Sequence, residues 1–196
     1  EKQFVTNHLG HFLLTALLLP ALRAGAPSRV VNLSSSGHRI AGVDLADPHF
    51  ERRPYDKWQA YGQSKSANVL FSVEFERRFA HEGIHANAVH PGAIVTELGR
   101  HMSRDDMKDL LARAPAGKGF TWKSIEAGAA TAVWAASAPE LEGRGGLYLE
   151  DCAIAGPSRS MESDSGYVPH AMDRAAAAAL WRFSEALTGC TVWPAR

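Results

Sequence analysis

Short runs rich in β-branched and small apolar residues alternate along this chain with long helical patterns, and this alternation restricts the possible folds most. Apolar residues at helical spacing predict helices over about 2–24, 58–82, 103–113, 123–137 and 171–187. Between them, strands are expected at 29–33, 85–90 and 146–150. Strands that alternate with helices form βαβ units around a parallel sheet. We therefore predict an α/β fold with a doubly wound parallel sheet.

The chain lacks the element with which such a fold usually opens. That element is a strand followed by a Gly-rich turn, which cradles a phosphate at a helix N-terminus. Neither G-x-G-x-x-G nor G-x-x-x-x-G-K-[ST] occurs, and the first residue is Glu1. We therefore expect residues 1–196 to be the C-terminal part of a single domain, without a second domain. We expect a preceding βα segment of about 100 residues to complete it and to pair with the 29–33 strand, which should be buried on both faces.

Composition excludes several classes of function. The 21 basic residues balance 21 acidic ones, so the electrostatic footprint of a nucleic-acid binder is missing. The longest apolar run, at residues 13–22, is about half as long as a membrane-spanning helix requires, so we expect no membrane span. Cys152 and Cys190 are too few and too far apart for a disulfide framework, which favours a cytoplasmic protein. Cys152 is expected to be a packed thiol.

One motif places a weak acid and a cation on the same face of a predicted helix. In Y-G-Q-S-K at residues 61–65, the four-residue spacing puts the Tyr61 phenol and the Lys65 ammonium one turn apart. A free tyrosine has a pKa of about 10, and an adjacent cation favours its phenolate. The pair can therefore serve acid–base catalysis, although such pairs are also common on solvated helix surfaces.

Polar residues follow two predicted strands at the sheet edge where ligands of open α/β sheets bind. Three serines at residues 34–36 come directly after the 29–33 strand, and H-P-G-A-I-V-T at residues 90–96 ends the next strand. Upstream, N-H-L-G at residues 7–10 lies within the first predicted helix. These motifs give the Tyr61–Lys65 pair a functional context.

Taken in order, N-x-x-G, V-N-x-S-S, Y-x-x-x-K and P-G with a threonine four residues beyond the glycine resemble the motifs of the short-chain dehydrogenases/reductases. The resemblance covers essentially the whole chain. N-H-L-G-H-F at residues 7–12 and the sequence at 61–70 are similar to the branch that contains retinol dehydrogenases, the WW-domain-containing oxidoreductase and protochlorophyllide reductase. G-L-Y-L-E-D-C at residues 146–152 resembles bacterial proteins of that group.

This resemblance implies a Rossmann-type fold and an NAD(P)-dependent oxidoreductase that interconverts an alcohol and a ketone or aldehyde. It implies that Tyr61 is the general acid/base and that Lys65 lowers the Tyr61 pKa and holds the nicotinamide ribose. Ser35 is implied to bond the substrate oxygen, and Asn7 to hold a water in a proton relay to Lys65. The neighbours Ser34 and Ser36 remain alternatives to Ser35.

The resemblance also implies where the cofactor and substrate bind. Pro91, Gly92, Ile94 and Thr96 are implied to line the nicotinamide end. The cofactor is NADP(H) or NAD(H), and this chain does not distinguish them because the residues that choose between them would precede Glu1. The family resemblance slightly favours NADP(H). A small apolar alcohol or carbonyl substrate is expected under a lid at residues 97–122, and this lid includes the candidate substrate contacts Leu98 and Met102. The family commonly forms homodimers or homotetramers through the first helix and the Tyr61 helix.

Other readings of the sequence are open. A catalytically silent binding or scaffold protein is the main alternative, and a serine hydrolase is a weaker one because the chain lacks a G-x-S-x-G elbow. H-E-G-I-H at residues 81–85 matches the zinc-protease signature. However, Gly83 is expected to end a helix and His85 to begin a strand, so we expect no metal site.

Overall fold

The computed structural model describes residues 1–100, 102–112, 121–158 and 165–190, without the side chain of Leu98. Its helices are α1 (Lys2–Ala24), α2 (Lys57–Phe79), α3 (Arg104–Ala112), α4 (Ile125–Ser137) and α5 (Arg174–Thr188). Its strands are β1 (Ser28–Leu33), β2 (Ile84–His90), β3 (Ala93–Ile94), β4 (Trp122–Lys123), β5 (Tyr148–Glu150) and β6 (Ala153–Ile154). Strands and helices therefore alternate as expected.

The main sheet has the strand order β1-β2-β5-β6. β1 pairs with β2 in parallel, from Ser28 opposite Ile84 to Leu33 opposite Val89, and β2 pairs with β5 in parallel. β6 is antiparallel to β5. Because β1, β2 and β5 are parallel, their carboxyl ends meet at one edge of the sheet, which positions the candidate site.

Successive strand residues point to opposite sides of the sheet, and helices pack against both of its faces. On one face, α1, α2 and α5 form clusters with the strand residues Val30, Ala86, Ala88 and Tyr148. On the other face, α4 packs against Val31, Val89 and Leu149. The structure confirms the predicted α/β fold, a mainly parallel sheet with helices on both faces.

Local sequence signals set the ends of α2. At its start, the Asp56 carboxylate accepts hydrogen bonds from the amides of Trp58 and Gln59 and so caps the helix. A 3-10 turn at Ala80–Glu82 follows α2. Gly83 then adopts a φ of 74°, the left-handed conformation in which glycine is favoured, and the chain turns into β2.

In the described part of the chain the first strand is not buried on both faces, as expected where the preceding βα segment does not pair with it. Within β1 only Asn32 is buried, and the Leu33 side chain is 47% exposed. In the described part of the chain β1 is an edge strand, since only β2 pairs with it. A run of β-branched residues favours a strand, but it does not specify the number of neighbours that the strand has.

The expectation of three strands is wrong, because β5 continues into β6 through a tight turn. Asp151 and Cys152 occupy this turn with φ values of 49° and 54°. Hairpin turns with two positive φ values are usually signalled by Asn-Gly or Asp-Gly. The Asp-Cys pair lacks this signal, so the sequence does not predict the turn. Cys152 is exposed, not a packed thiol as expected.

The sequence predicts only a short helix in residues 93–122. The structure confirms a helix there, α3, and adds two strands, since β3 and β4 pair in parallel with Ala93 opposite Trp122. Residues 101 and 113–120 of the expected lid lie outside the described residues.

α1 is long and apolar enough to cross a membrane by length and composition, a test that core helices of soluble proteins and signal sequences also pass. In this fold, one side of α1 packs into the core through Phe12, Ala16 and Leu19. Its Leu14, Leu17 and Leu18 are exposed.

Candidate active site

Tyr61 and Lys65 lie in the first turns of α2, at the carboxyl edge of the sheet. The Lys65 Nζ atom is 5.7 Å from the centre of the Tyr61 ring. The same Nζ donates a hydrogen bond of 3.2 Å to the carbonyl oxygen of Leu33, the last residue of β1. The four-residue spacing therefore places the two groups together as predicted, and β1 fixes the position of the cation.

Among the three consecutive serines, Ser35 lies next to the tyrosine. Its hydroxyl accepts the Gly37 amide at 3.0 Å. Both this hydroxyl and the Tyr61 ring lie within 3.4 Å of the position that a Cβ atom at Gly37 would take. The Ser34 hydroxyl instead donates to the backbone carbonyl of Lys65 at 2.9 Å, and this serine is buried in the packing of β1 against α2. Ser35 thus has the geometry that the resemblance implies for it.

Two glycines allow the turn after β1 to approach α2 closely. A Cβ atom at Gly37 would lie 2.6 Å from a carbon of the Tyr61 ring. A Cβ atom at Gly62 would lie 2.9 Å from the Gly37 carbonyl oxygen and from the Ala41 amide nitrogen. Real Cβ atoms essentially never approach so closely. The absence of side chains at Gly37 and Gly62 therefore sets the distance between Ser35 and Tyr61.

Burial governs the electrostatics of the pair. It raises the pKa of Tyr61, and the nearby Ser35 side chain opposes this rise. Burial also lowers the pKa of Lys65 to about 8. The resemblance implies that Lys65 lowers the pKa of Tyr61. In this structure, burial dominates the Tyr61 pKa and Ser35 supplies the opposing effect.

Asn7 lies in a π-helical turn of α1, at Val5–Leu9. Its side-chain amide donates a hydrogen bond of 3.0 Å to the Ser64 hydroxyl, which in turn donates to the Tyr61 carbonyl. π-Helical turns are frequent at functional sites because they shift side chains out of helical register. Asn7 is therefore linked to the Tyr61 helix, and its role in a proton relay to Lys65 remains a prediction.

The candidate nicotinamide-side residues Pro91, Gly92, Ile94 and Thr96 follow β2 at the same edge of the sheet. Gly92 has a φ of 94°, and a Cβ atom there would lie 2.7 Å from the Lys123 side chain. Gly128 of α4 similarly leaves room for Ile94, which lies close to it. The absence of side chains at Gly92 and Gly128 thus allows this segment to pack closely against β4 and α4.

Of the two candidate substrate contacts, Leu98 and Met102, the structure describes the side chain of Met102 alone. The side chain of Leu98 lies outside the described residues. Met102 is partly buried, and its amide donates to the Gly99 carbonyl at 2.9 Å. An ion pair between Lys57 and Asp106 joins the start of α2 to α3.

Sequence reasoning missed several residues around this edge. Lys123 lies against Gly92 and forms an ion pair with Asp151. His38 lies beside Ser35, with Nδ1 2.7 Å from the Ser35 carbonyl oxygen. Because this imidazole bonds the carbonyl and not the hydroxyl of Ser35, the arrangement differs from that of a serine hydrolase. The S-S-S-G-H sequence at 34–38 was the available signal for His38.

The zinc-protease match has no metal-site geometry. His85 lies at the start of β2, where its Nδ1 is 2.9 Å from a carboxylate oxygen of Glu76. His81 lies in the 3-10 turn before Gly83 and is exposed. Across the described ranges, no group of three or more His, Cys, Asp or Glu side chains is arranged to hold a metal ion.

Comparison with known proteins agrees with this fold and site. The family model described as short chain dehydrogenase matches residues 1–107. The chain is 44% identical over 187 residues to a "Probable oxidoreductase" of Streptomyces antibioticus, a match that covers 93% of this chain and 62% of that protein. It is 38% identical over 189 residues to human "Retinol dehydrogenase 14", covering 96% of this chain and 52% of that protein.

A crystal structure of an uncharacterized protein from Mycobacterium paratuberculosis matches with a TM-score of 0.67 and 31% identity, covering all of this chain and 61% of that one. The chain belongs to the short-chain dehydrogenase family, and among its members it resembles the retinol dehydrogenases. It spans 62% of the length of the Streptomyces protein and 52% of that of the human one.

Proposed function

We propose that this chain carries the catalytic part of an NAD(P)-dependent oxidoreductase that interconverts an alcohol and a ketone or aldehyde by hydride transfer. The observation that carries the proposal is the convergence of Ser35, Tyr61 and Lys65 at the carboxyl edge of the sheet. There the Ser35 hydroxyl and the Tyr61 ring both lie against Gly37, and Lys65 lies within a helical turn of Tyr61.

In the reductive direction, Tyr61 gives its phenolic proton to the carbonyl oxygen as negative charge develops there. Ser35 donates a hydrogen bond to the same oxygen and stabilises that charge. The positive charge of Lys65 favours the phenolate that remains. In the oxidative direction, Tyr61 takes the alcohol proton instead.

The nicotinamide cofactor supplies or accepts the hydride when bound. The donors at this edge fit such a group, because the Lys65 ammonium can bond ribose hydroxyls while it donates to Leu33. Ile94 and Thr96 offer backbone and hydroxyl groups for the carboxamide. NADP(H) is favoured ahead of NAD(H) by the family resemblance alone.

The substrate is proposed to be a small apolar alcohol or carbonyl compound. The similarity to retinol dehydrogenases supports an apolar substrate. Leu98 and Met102 are proposed to contact it.

For the whole protein we propose a preceding βα segment that completes the dinucleotide site and pairs with β1. We also propose a cytoplasmic location and a homodimer or homotetramer formed through α1 and α2.

Replacement of one oxygen atom tests this proposal. In the complete natural protein, Tyr61→Phe removes the proton donor, so turnover of a generic aldehyde or ketone should fall by at least about 100-fold. Tyr55→Phe is the matched control, since Tyr55 is exposed and its hydroxyl bonds Gln3 outside the site. Steady-state kinetics with both reduced cofactors measures the effect. Full activity of Tyr61→Phe would refute the proposed mechanism.

A further inference from the structure

His38 is fully buried at the end of the turn that carries Ser35. Ser35 caps a 3-10 turn at Ser36–Arg39, in which its hydroxyl accepts the Gly37 amide. The Ser35 carbonyl accepts the backbone amide of His38 at 3.1 Å and lies 2.7 Å from the Nδ1 atom of the same residue. The hydroxyl and the carbonyl of Ser35 therefore both accept hydrogen bonds within this one turn.

The partners of His38 fix the protonation of its ring. A backbone amide can only donate, so the Val168 amide, 3.3 Å from Nε2, requires an unprotonated Nε2. A backbone carbonyl can only accept, so Nδ1 must carry the proton that bonds the Ser35 carbonyl. The imidazole thus bridges Ser35 and Val168 in one tautomer. Burial lowers the pKa of His38 to about 4, which keeps this neutral form at physiological pH.

Further contacts join the same turn to the segment at residues 166–170. The Arg39 guanidinium donates to the Gly166 carbonyl at 2.6 Å. The His170 Nε2 atom lies 2.8 Å from the His38 carbonyl oxygen. The ring of Tyr148 packs against the His38 ring, with 4.8 Å between centroids. His38 therefore lies between the Ser35 turn and a segment 130 residues further along the chain.

We propose that His38 is a positioning residue, which holds the Ser35 hydroxyl against Tyr61 by fixing the Ser35 carbonyl and anchoring it to Val168. The inference rests on the proposed function, in which Ser35 bonds the substrate oxygen. It assigns the two ring nitrogens different tasks. Nδ1 orients Ser35, and Nε2 anchors the ring to the following segment.

Three substitutions separate these tasks in the complete natural protein. The side-chain amide nitrogen of Asn can occupy the place of Nδ1, so His38→Asn keeps the donor to Ser35. The longer Gln side chain reaches the place of Nε2, so His38→Gln keeps the acceptor for Val168. His38→Leu removes both. His85→Asn is the control, because His85 makes a comparable Nδ1 hydrogen bond to Glu76 at the opposite end of β2.

The first measurement requires no turnover. With tyrosine labelled at Cζ with ¹³C, the Tyr61 resonance, assigned by its loss in Tyr61→Phe, reports the approach of the Ser35 hydroxyl. His38→Leu and His38→Gln should displace this resonance in the same direction as Ser35→Ala. His38→Asn and His85→Asn should leave it near the wild-type position. An unchanged resonance in a folded His38→Leu protein overturns the inference.

The second measurement uses aldehyde or ketone reduction. His38→Leu and His38→Gln should lower kcat by about 10- to 100-fold, as misplacement of a catalytic group does. Both should leave the KM of the nicotinamide cofactor within about twofold, and His38→Asn should restore most of kcat. Equal kcat values for the Leu and Asn variants would contradict the role of Nδ1. A wild-type protein without turnover refutes the proposed function, whereas the resonance still decides the role of His38.

Discussion

The two halves of α2 are both buried, but they are built from different residues. The first half, up to residue 68, buries mainly polar side chains, and the second half buries mainly large apolar ones. The buried polar residues are Gln63, Ser64, Ser66 and Asn68. The buried apolar residues are Val69, Leu70, Phe71, Phe75 and Phe79, and the second half also buries the polar residues Ser72 and Glu74. One helix therefore serves the candidate site with its first turns and the core with its last turns.

The polar half is held by hydrogen bonds to particular partners. Asn68 donates to the Leu33 carbonyl at 2.9 Å, and the Gln63 side chain bonds the Asp44 amide and the Pro48 carbonyl. Such bonds contribute only about 1 kcal/mol each, but an unpaired buried group costs more. This half therefore specifies geometry more than it adds stability.

The apolar half forms an aromatic cluster with α1 and α5. The Phe71 ring stacks on Trp181 with 5.6 Å between centroids, and Phe75 packs against both Phe71 and Phe79. Full burial of such side chains contributes about 1.5–3 kcal/mol each. The comparison suggests that substitutions in the second half should alter stability, and those in the first half should alter activity.

The largest effect on stability is expected from Phe75→Ala. Phe75 is fully buried in the aromatic cluster, so the cavity should cost about 3–5 kcal/mol of unfolding free energy. Denaturant unfolding of the complete natural protein measures this. Below the unfolding transition, kcat should stay within about twofold of the wild type. A kcat loss as large as that of Tyr61→Phe would show that the two halves are not separable.

A smaller effect on stability, with a large effect on the site, is expected from Gly62→Ala. The added methyl group would meet the turn after β1 at 2.9 Å, so the turn must move, at a cost of about 1–3 kcal/mol. The same movement should displace Ser35 from Tyr61 and lower kcat by at least about tenfold. Unfolding and kinetics are measured on the same samples.

Gly156→Ala is the matched control for this substitution. Among the described residues, nothing lies within 4 Å of a Cβ atom at Gly156, and its φ is not in the left-handed region. Its unfolding free energy should therefore change by less than about 0.5 kcal/mol. If Gly62→Ala behaved like this control, the close approach of the turn to α2 would not govern the site.

The same comparison explains what could be predicted from the sequence. The Tyr61–Lys65 spacing and the serines after β1 are local patterns, and helix and strand geometry converts them into neighbours. The role of His38 could not be predicted, since its partner Val168 lies 130 residues away. Gly37 and Gly62 carried a weak signal, because a glycine in a sequence does not reveal what approaches it.

The strands of the sheet also divide into those that the sequence predicts and those that it does not. Periodicity predicted the main helices and β1, β2 and β5, because those elements are long or bounded by Gly and Pro. The exposure of β1 depends on how many strands pair with it, which no residue within β1 encodes. β6 was missed because Asp151 and Cys152 form its turn without a glycine.

The smallest expected effect is a gain in stability from Lys65→Met. Lys65 is the partly buried cation of the polar half, and burial lowers its pKa from 10.5 to about 8. At neutral pH the folded protein therefore holds a charge in an unfavourable environment. Met has a similar length and no charge, so the unfolding free energy should rise by about 1–2 kcal/mol, or roughly 2–8 °C in Tm. Turnover should fall by at least about tenfold.

The pH dependence sharpens this prediction. Between about pH 8 and 10.5 the unfolded chain holds the Lys65 proton and the folded protein releases it, so this group makes stability rise with pH across that window. Lys65→Met should remove that rise, and its stability advantage should therefore shrink as the pH increases from 7 to 10. Lys108→Met is the control, since Lys108 lies on α3 with its side chain 79% exposed. Equal Tm differences for Lys65→Met at pH 7 and pH 10 would mean that Lys65 is charged at no cost in the folded protein.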